Sequence, residues 1–380
     1  MKRLLNIPKR KNLEKKFADL GSRTYNPKDP DWQEGMAYRF TQKEVDDIIK
    51  ATNDIIPICN EACQYVIEKD LFSTFKIEGD WKDYIIKSWE RKDPCLWARY
   101  DFIFDGTKPP KLMEVNYGRV GNIIEAAVLQ REWAKEHNFK QFNTIEDTLI
   151  KAWAAMKEEG SVTDPVYFMG NYLDMNEYEA LEFLMAACLE AGLDAEAVDI
   201  RDFDWDGKAY IDHNTKKPIH SMLKHFSWEE NMGNPFAQRL TTGDMRVIDP
   251  VWTMVMSNKA MLPILWEIAP NHPNLLPTYY DTSVFDEDGS SYVEKPLHGY
   301  QGKSITIVDP DDATENIRDF GEEGYIYQEY IKLRDFDEDA DAYPVCGSWV
   351  INDEACGIAI REDETRITTE ECGFVPYYIL

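Results

Sequence analysis

Apolar spacing sets the first elements. Val45, Ile48, Ile49, Ile55 and Ile56 recur at roughly helical intervals. Thr41 stands three residues before Glu44, the capping-box pattern of a hydroxyl followed by an acid. Roughly the first 90 residues therefore read mostly helical. The breaker-rich run Asp105-Gly-Thr-Lys-Pro-Pro110 then separates Trp97–Phe104 from Lys111–Asn116, which predicts a hairpin. A helix is expected from near Asn122 through Trp133. Further on, Val166–Met169 is strand-like, Glu177–Ala191 is helical and closed by Gly192, and Ala195–Ile200 is strand-like again. That alternation predicts a small βαβ unit. Beyond residue 250, Ser257 is placed to cap a helix that Pro263 should kink. Five strands follow, at Ser291–Glu294, Ser304–Val308, Tyr325–Tyr330, Val345–Ile351 and Ala355–Ile360. Asn352-Asp353-Glu354 forms the last hairpin turn.

The hairpin carries the most specific chemistry. A six-residue loop, 105–110, would pair Phe104 with Lys111, Asp101 with Glu114 and Arg99 with Asn116. One face then holds two carboxylates, an amide and a guanidinium, while Tyr100, Phe102, Met113 and Val115 face the core. Hard oxygens of that kind suit magnesium shared with phosphate, and an arginine fork suits a phosphoryl oxyanion. A surface salt-bridge ladder has the same spacing.

A second group is Lys295-Pro-Leu-His-Gly299-Tyr-Gln301-Gly302-Lys-Ser304. Gly302-Lys303-Ser304 matches the end of a phosphate-binding P-loop. Leu297, however, stands where the first glycine belongs, and β-branched Ile305–Val308 follows where a helix should. A glycine-rich β-flap over phosphates fits better; an ordinary hairpin turn also fits. Lys259, Lys295 and Arg361 are isolated cations at the edges of apolar stretches. The strand Tyr325–Ile331 could offer backbone groups to an adenine edge.

The chain has 380 residues, 43% hydrophobic and 29% charged, which predicts a globular protein of more than one subdomain. The expected division is 1–155, a helical region with the hairpin; 156–250, a small α/β unit; and 251–380, the lid and nucleotide region. With 42 basic and 70 acidic residues the net charge is −28, which argues against nucleic-acid partners and anionic membranes. No apolar run is long enough to span a bilayer, and Leu4–Ile7 is too short for a signal-peptide core. Seven scattered cysteines fit a reducing cytoplasm. There is no H-E-x-x-H and no G-x-S-x-G, so zinc hydrolases and nucleophile elbows are unsupported.

Taken in order, Arg99-Tyr-Asp101, Leu112-Met-Glu114-Val-Asn116, Glu125-Ala-Ala-Val128, Ser257-Asn-Lys259, Asn271–Pro277, Lys295–Gly299, Tyr327-Gln328, Gly347–Val350 and Gly357–Arg361 resemble the glutathionylspermidine synthase family of ATP-grasp ligases. The similarity runs over nearly the whole chain and is strongest to the short bacterial acid–amine ligase type without an amidase domain. It implies an α/β (α+β) fold: a circularly permuted ATP-grasp with a small inserted α/β subdomain and a glycine-rich lid. It implies an ATP-dependent ligase that joins a peptide-like acid to a polyamine-like amine, with magnesium, as two ions, at Asp101, Glu114 and Asn116. Arg99 would stabilise the transition state. Arg99, Tyr100, Asp101, Lys259, Lys295, Gly299, Gln301, Gly302, Gln328, Glu329, Tyr330, Ile331 and Arg361 would contact the nucleotide. The run Tyr117-Gly-Arg119-Val-Gly-Asn122 departs from the family's acyl-site loop, and Arg119 there implies an acid other than glutathione. The alternative is an ATP- and magnesium-binding module without turnover that acts through partner proteins.

Overall fold

The computed structural model describes residues 1–26, 31–118, 121–311, 314–337 and 339–380. Arg119 lies outside them. The molecule is built around a five-stranded antiparallel sheet in the order Gly373–Val375, Glu354–Asp363, Tyr343–Ile351, Trp97–Ile103, Lys111–Tyr117. The hairpin expected near the N-terminus is thus continued by strands from the far end of the chain. Asn352 and Asp353 both take positive φ, which makes the tight turn that joins the two longest strands.

Each face of this sheet carries its own apolar core. On one side, Tyr100, Phe102 and Val115 pack with the Gln42–Glu68 helix, which presents Val45, Ile48, Ile55 and Val66. Each such fully buried side chain stabilises by roughly 1.5–3 kcal/mol. The helix starts at Thr41 with both halves of the capping box in place. Thr52 also crosses the interface by donating to Ser348 Oγ at 2.7 Å. On the other side, Trp97, Trp349 and Ile351 pack with Ile123–Leu129 and with the Ile145–Glu159 helix.

A second sheet is parallel, in the order Arg246–Ile248, Ser221–Lys224, Val166–Gly170, Ala195–Asp199. It contains the expected βαβ unit, with Val166 opposite Ala195. The helix Met175–Glu190 closes on Gly192 at φ +83. The two strands that complete this sheet are only three and four residues long, too short for a periodic signal.

The third sheet runs Thr278–Tyr279, Tyr325–Glu329, Tyr292–Pro296, Thr306–Val308, Thr314–Glu315. Residues 297–305 connect two of its strands, and Gly299, Gln301, Gly302 and Ser304 all have positive φ. Ser257 does not cap a helix. It ends the short helix Thr253–Ser257, and its hydroxyl accepts from the Tyr117 N–H at 2.9 Å. Pro263 sits in the first turn of Met261–Ile268, where its missing N–H breaks no helical bond. No helix among the described residues is long and apolar enough to cross a membrane.

Candidate active site

The hairpin places the first group of side chains. Arg99 pairs with Asn116 and Asp101 with Glu114, as the spacing predicts. The expected pairing of Phe104 with Lys111 is not formed. A bulge after Asp101 takes up Met113, so Phe102 pairs with Leu112 and Ile103 with Lys111. The bulge turns Met113 out of the predicted core face, and Met113 and Ile103 together line the cavity.

Two arginines grip Asp101. Arg99 donates from Nε to Oδ1 at 2.7 Å and from Nη2 to Oδ2 at 3.0 Å. Arg361, brought in by the Glu354–Asp363 strand, donates from Nη2 to Oδ2 at 2.8 Å. Gly347 lies directly opposite Asp101 on the neighbouring strand. A Cβ there would come within 2.8 Å of Arg99 Cδ and 3.2 Å of Asp101 Oδ1, so only glycine leaves room for this pair. The Asn116 Nδ2 donates to both Asp101 Oδ2 and Glu114 Oε1 at 3.2 Å.

Two lysines complete the cluster. Lys259 donates to the Gly299 carbonyl at 2.8 Å and stands 3.6 Å from Glu114 Oε2. Lys295 donates to Gln328 Oε1 at 2.7 Å and to the Met113 carbonyl at 2.9 Å. Gln328 is itself held by Thr278 Oγ1 at 3.3 Å. Burial alone would push the Glu114 carboxyl up. Lys259, Lys295 and Arg361, with the Asn116 amide, instead bring it down to about 2. Burial brings the Lys295 ammonium down to about 8, against the opposing pull of Glu114. For Arg361 burial pulls the guanidinium down, but Asp101 and Glu114 with the other nearby groups together outweigh it, and the guanidinium is raised. Four cations thus surround two carboxylates in a protein of net charge −28, a local excess of positive charge suited to a polyphosphate.

These groups open onto one cavity of about 890 Å³, counting the space open to solvent. Asp101, Glu114, Lys259, Lys295, Gly299, Gln301, Gly302, Gln328, Glu329, Tyr330, Ile331 and Arg361 line it. Arg99 and Asn116 stand one contact behind that wall. Tyr100 is not brought there. It points into the opposite core, fully buried, with its hydroxyl 2.8 Å from that of Tyr117. At one end, Ile103, Met113, Leu276, Val293 and Leu333 form an apolar slot beside Gln328–Ile331. Residues 299–303 and Arg366–Thr368 also line it, with Gly302 packed against Ile367 and Thr368. Ser304 shows that the GKS run is no P-loop: its φ is +58 and its Oγ accepts from the N–H groups of Asp319 and Phe320.

Sequence reasoning missed the roles of Thr278, Gly347 and Thr368. Of these, Gly347 lay inside a stretch that carried the family resemblance, but its function depends on a cross-strand neighbour. Among the described residues no three His, Cys, Asp or Glu side chains form a metal-binding group. The oxygen set is two carboxylates and one amide, hard donors with Glu114 held ionised, and that chemistry fits magnesium.

The sequence matches the profile described as "Glutathionylspermidine synthase preATP-grasp" over residues 4–380. The chain belongs to this family. It is 31% identical, over the full length of both, to a Haemophilus influenzae protein named "Putative acid–amine ligase". It is 28% identical to a trypanothione synthetase of Crithidia fasciculata, covering 83% of this chain and 52% of that one. It is 26% identical to the bifunctional glutathionylspermidine synthetase/amidase of Escherichia coli, covering 90% of this chain and 59% of that one. The chain therefore spans little more than half of these two longer relatives. Among solved structures, a glutathione synthetase-like effector from Globodera pallida shares the fold. Its TM-score is 0.57 at 12% identity, with 90% of this chain and 89% of that one covered.

Proposed function

We propose that this ligase joins a peptide-like carboxylate to a polyamine-like amine through an acyl phosphate, with ATP in the cavity described above. The observation that carries the reading is the cation cluster itself: Arg99, Arg361, Lys259 and Lys295 converge around Asp101 and Glu114, next to an apolar slot edged by backbone. The slot takes the adenine against Gln328–Ile331, and the phosphates extend toward the lysines and Arg361. Asp101, Glu114 and Asn116 would hold magnesium, which supplies charge neutralisation at the transferring phosphoryl group. Arg99 steadies that group and then the oxyanion formed when the amine attacks; such contacts are worth ~3–4 kcal/mol. Residues 297–305 act as a glycine-rich lid that keeps water from the acyl phosphate.

The order of the parts supports a circularly permuted ATP-grasp, because the metal-ligand hairpin precedes the ATP lysines along the chain. The three chain regions then serve as ATP-grasp core, inserted substrate unit and lid. The names of the longer relatives support glutathione-like acids and polyamines as the substrate class. The test is ATP-dependent ADP release over a matrix of peptide acids and polyamines, with product amide identified by mass. ADP release that requires both partners is expected. Tight ATP binding with no turnover for any pair would instead favour a nucleotide-binding module.

A further inference from the structure

The root of the 297–305 loop is tied to one short segment. Leu297, His298 and Gly299 each bond to the pair Asn258-Lys259, which leads into the Met261–Ile268 helix. The Lys259 N–H donates to the Leu297 carbonyl at 3.1 Å. Lys259 Nζ donates to the Gly299 carbonyl at 2.8 Å. Between these two bonds, Asn258 Nδ2 lies 3.1 Å from His298 Nε2. Of the three contacts, this one alone contains a group that gains or loses a proton near neutral pH. Lys259 also lines the cavity, so the root is one residue away from the proposed phosphate site.

Backbone groups fix which atom donates. Asn258 Oδ1 accepts the Ala260 N–H at 2.9 Å, and Nδ2 donates to the Phe75 carbonyl at 3.0 Å. Neither backbone group can change role, so the amide cannot turn over. Nδ2 must therefore donate its other hydrogen to His298, and the imidazole must accept at Nε2. That form of the ring is neutral and carries its proton on Nδ1. On the Nδ1 side stands Glu323, with Oε1 3.8 Å away and Oε2 buried without a hydrogen bond.

We propose that His298 is a positioning residue that makes the lid sensitive to pH: neutral, it holds the lid root to Asn258; protonated, it releases Asn258 and pairs with Glu323. The inference rests on the lid of the ligase reading. A second proton on the ring places an N–H on Nε2, pointed at the Nδ2 hydrogens of an amide that has no acceptor to offer there. The same charge draws Nδ1 toward Glu323. A charge-assisted bond is made at ~2.8 Å, so the ring has about 1 Å to travel from 3.8 Å. Both forces act in one direction, away from Asn258. The other charges on the elements around the ring are engaged or exposed. Lys259 is held by the Gly299 carbonyl and Glu114, and Lys295 by Gln328 and the Met113 carbonyl. Lys76 and Glu322, next in the chain to Phe75 and Glu323, are exposed.

The experiment starts with the ligand-free protein. Nitrogen NMR at pH 7.5 should show His298 with its proton on Nδ1. Protection of the 298–304 amides from hydrogen exchange should fall about 3–10-fold between pH 7.5 and pH 5.5, the worth of one hydrogen bond. In His298→Gln the side-chain oxygen still accepts from Asn258 and does not titrate, so protection should be the same at both pH values. Glu323→Gln removes the partner of the protonated ring and should move the transition to lower pH. Calorimetric titration should show ATP affinity weakening on acidification by about the same 3–10-fold in the wild type relative to His298→Gln, a comparison in which the titration of ATP itself cancels. A proton on Nε2 at pH 7.5, a pH dependence shared by the wild type and His298→Gln, or a transition unmoved in Glu323→Gln overturns the proposal. A protein that binds no ATP at either pH overturns the ligase reading instead, while the NMR and exchange results still decide whether His298 holds the root.

Discussion

Lys295 is 4% exposed, and burial brings its ammonium down to about 8 while Glu114 pulls the other way. In the unfolded chain the group titrates near its ordinary 10.5, so folding disfavours the protonated form. The resulting penalty is full below pH 8 and is relieved as the pH rises toward 10.5, so this group makes the ligand-free protein more stable across that window. ATP reverses the preference, because a polyphosphate beside Lys295 stabilises the charged form. Nucleotide binding should therefore take up a proton around pH 8. Calorimetric titration of ATP in buffers of different ionisation enthalpy measures that uptake directly. It should be lost in Lys295→Ala, together with much of the affinity. Buffer-independent heats at pH 8 in the wild type would refute the placement of the phosphates. Gly347 gives a second residue-level test. A methyl group at that position would push against Arg99 Cδ and Asp101 Oδ1 without touching the cavity. Displacing the pair by a fraction of an ångström should lower kcat by about 10–100-fold with little change in ATP affinity. Equal kcat in Gly347→Ala would show that the Arg99–Asp101 geometry does not matter to turnover.

Elements show where sequence reasoning holds and where it stops. The hairpin register is legible at Arg99, Asp101, Glu114 and Asn116 because a period-two pattern with opposed polar residues has few solutions. It fails beyond Asp101 because a bulge costs one residue and leaves no compositional mark, and Met113 changes face as a result. Tyr100 follows the same rule. Alternation sends it to the core, as the spacing alone predicts, while family resemblance alone would bring it to the nucleotide. The third sheet was legible as separate strands, but not the contact made by the loop 297–305, the proposed lid. Gly302 has φ +70, and a Cβ there would lie 2.6 Å from the Thr368 carbonyl oxygen, a long-range neighbour that no local pattern reveals. Gly302→Ala should therefore keep residues 299–303 from seating on Ile367 and Thr368. A lid that seats badly admits water, so ATP hydrolysis without amine should rise relative to amide formation. The ratio of ADP released to amide formed measures this; a ratio unchanged from wild type would remove the lid's role in excluding water.

At the scale of the whole molecule, two opposite fields meet. The chain carries −28, yet the wall of the proposed nucleotide cavity gathers Lys259, Lys295, Lys303, Arg361 and Arg366 against Asp101, Glu114 and Glu329. The far field attracts a polycation and repels ATP, while the near field does the reverse. These fields differ in their sensitivity to salt. Screening acts over ~30 Å at 0.01 M ionic strength and ~8 Å at 0.15 M, so added salt removes the far field first. The cavity cations are buried within a few ångströms of their targets and are screened much less. The kcat/KM for spermidine should therefore fall by about 10-fold or more over that salt range, the lower end of what electrostatic steering supplies. Hydroxylamine, uncharged at pH 7, should change little, and the KM for ATP should hold steady or fall as the repelling far field is screened. Ionic-strength series at fixed magnesium with each amine separate the cases. If spermidine and hydroxylamine respond alike, the acidic surface serves only to solvate the protein, and the polycationic amine is the wrong substrate class.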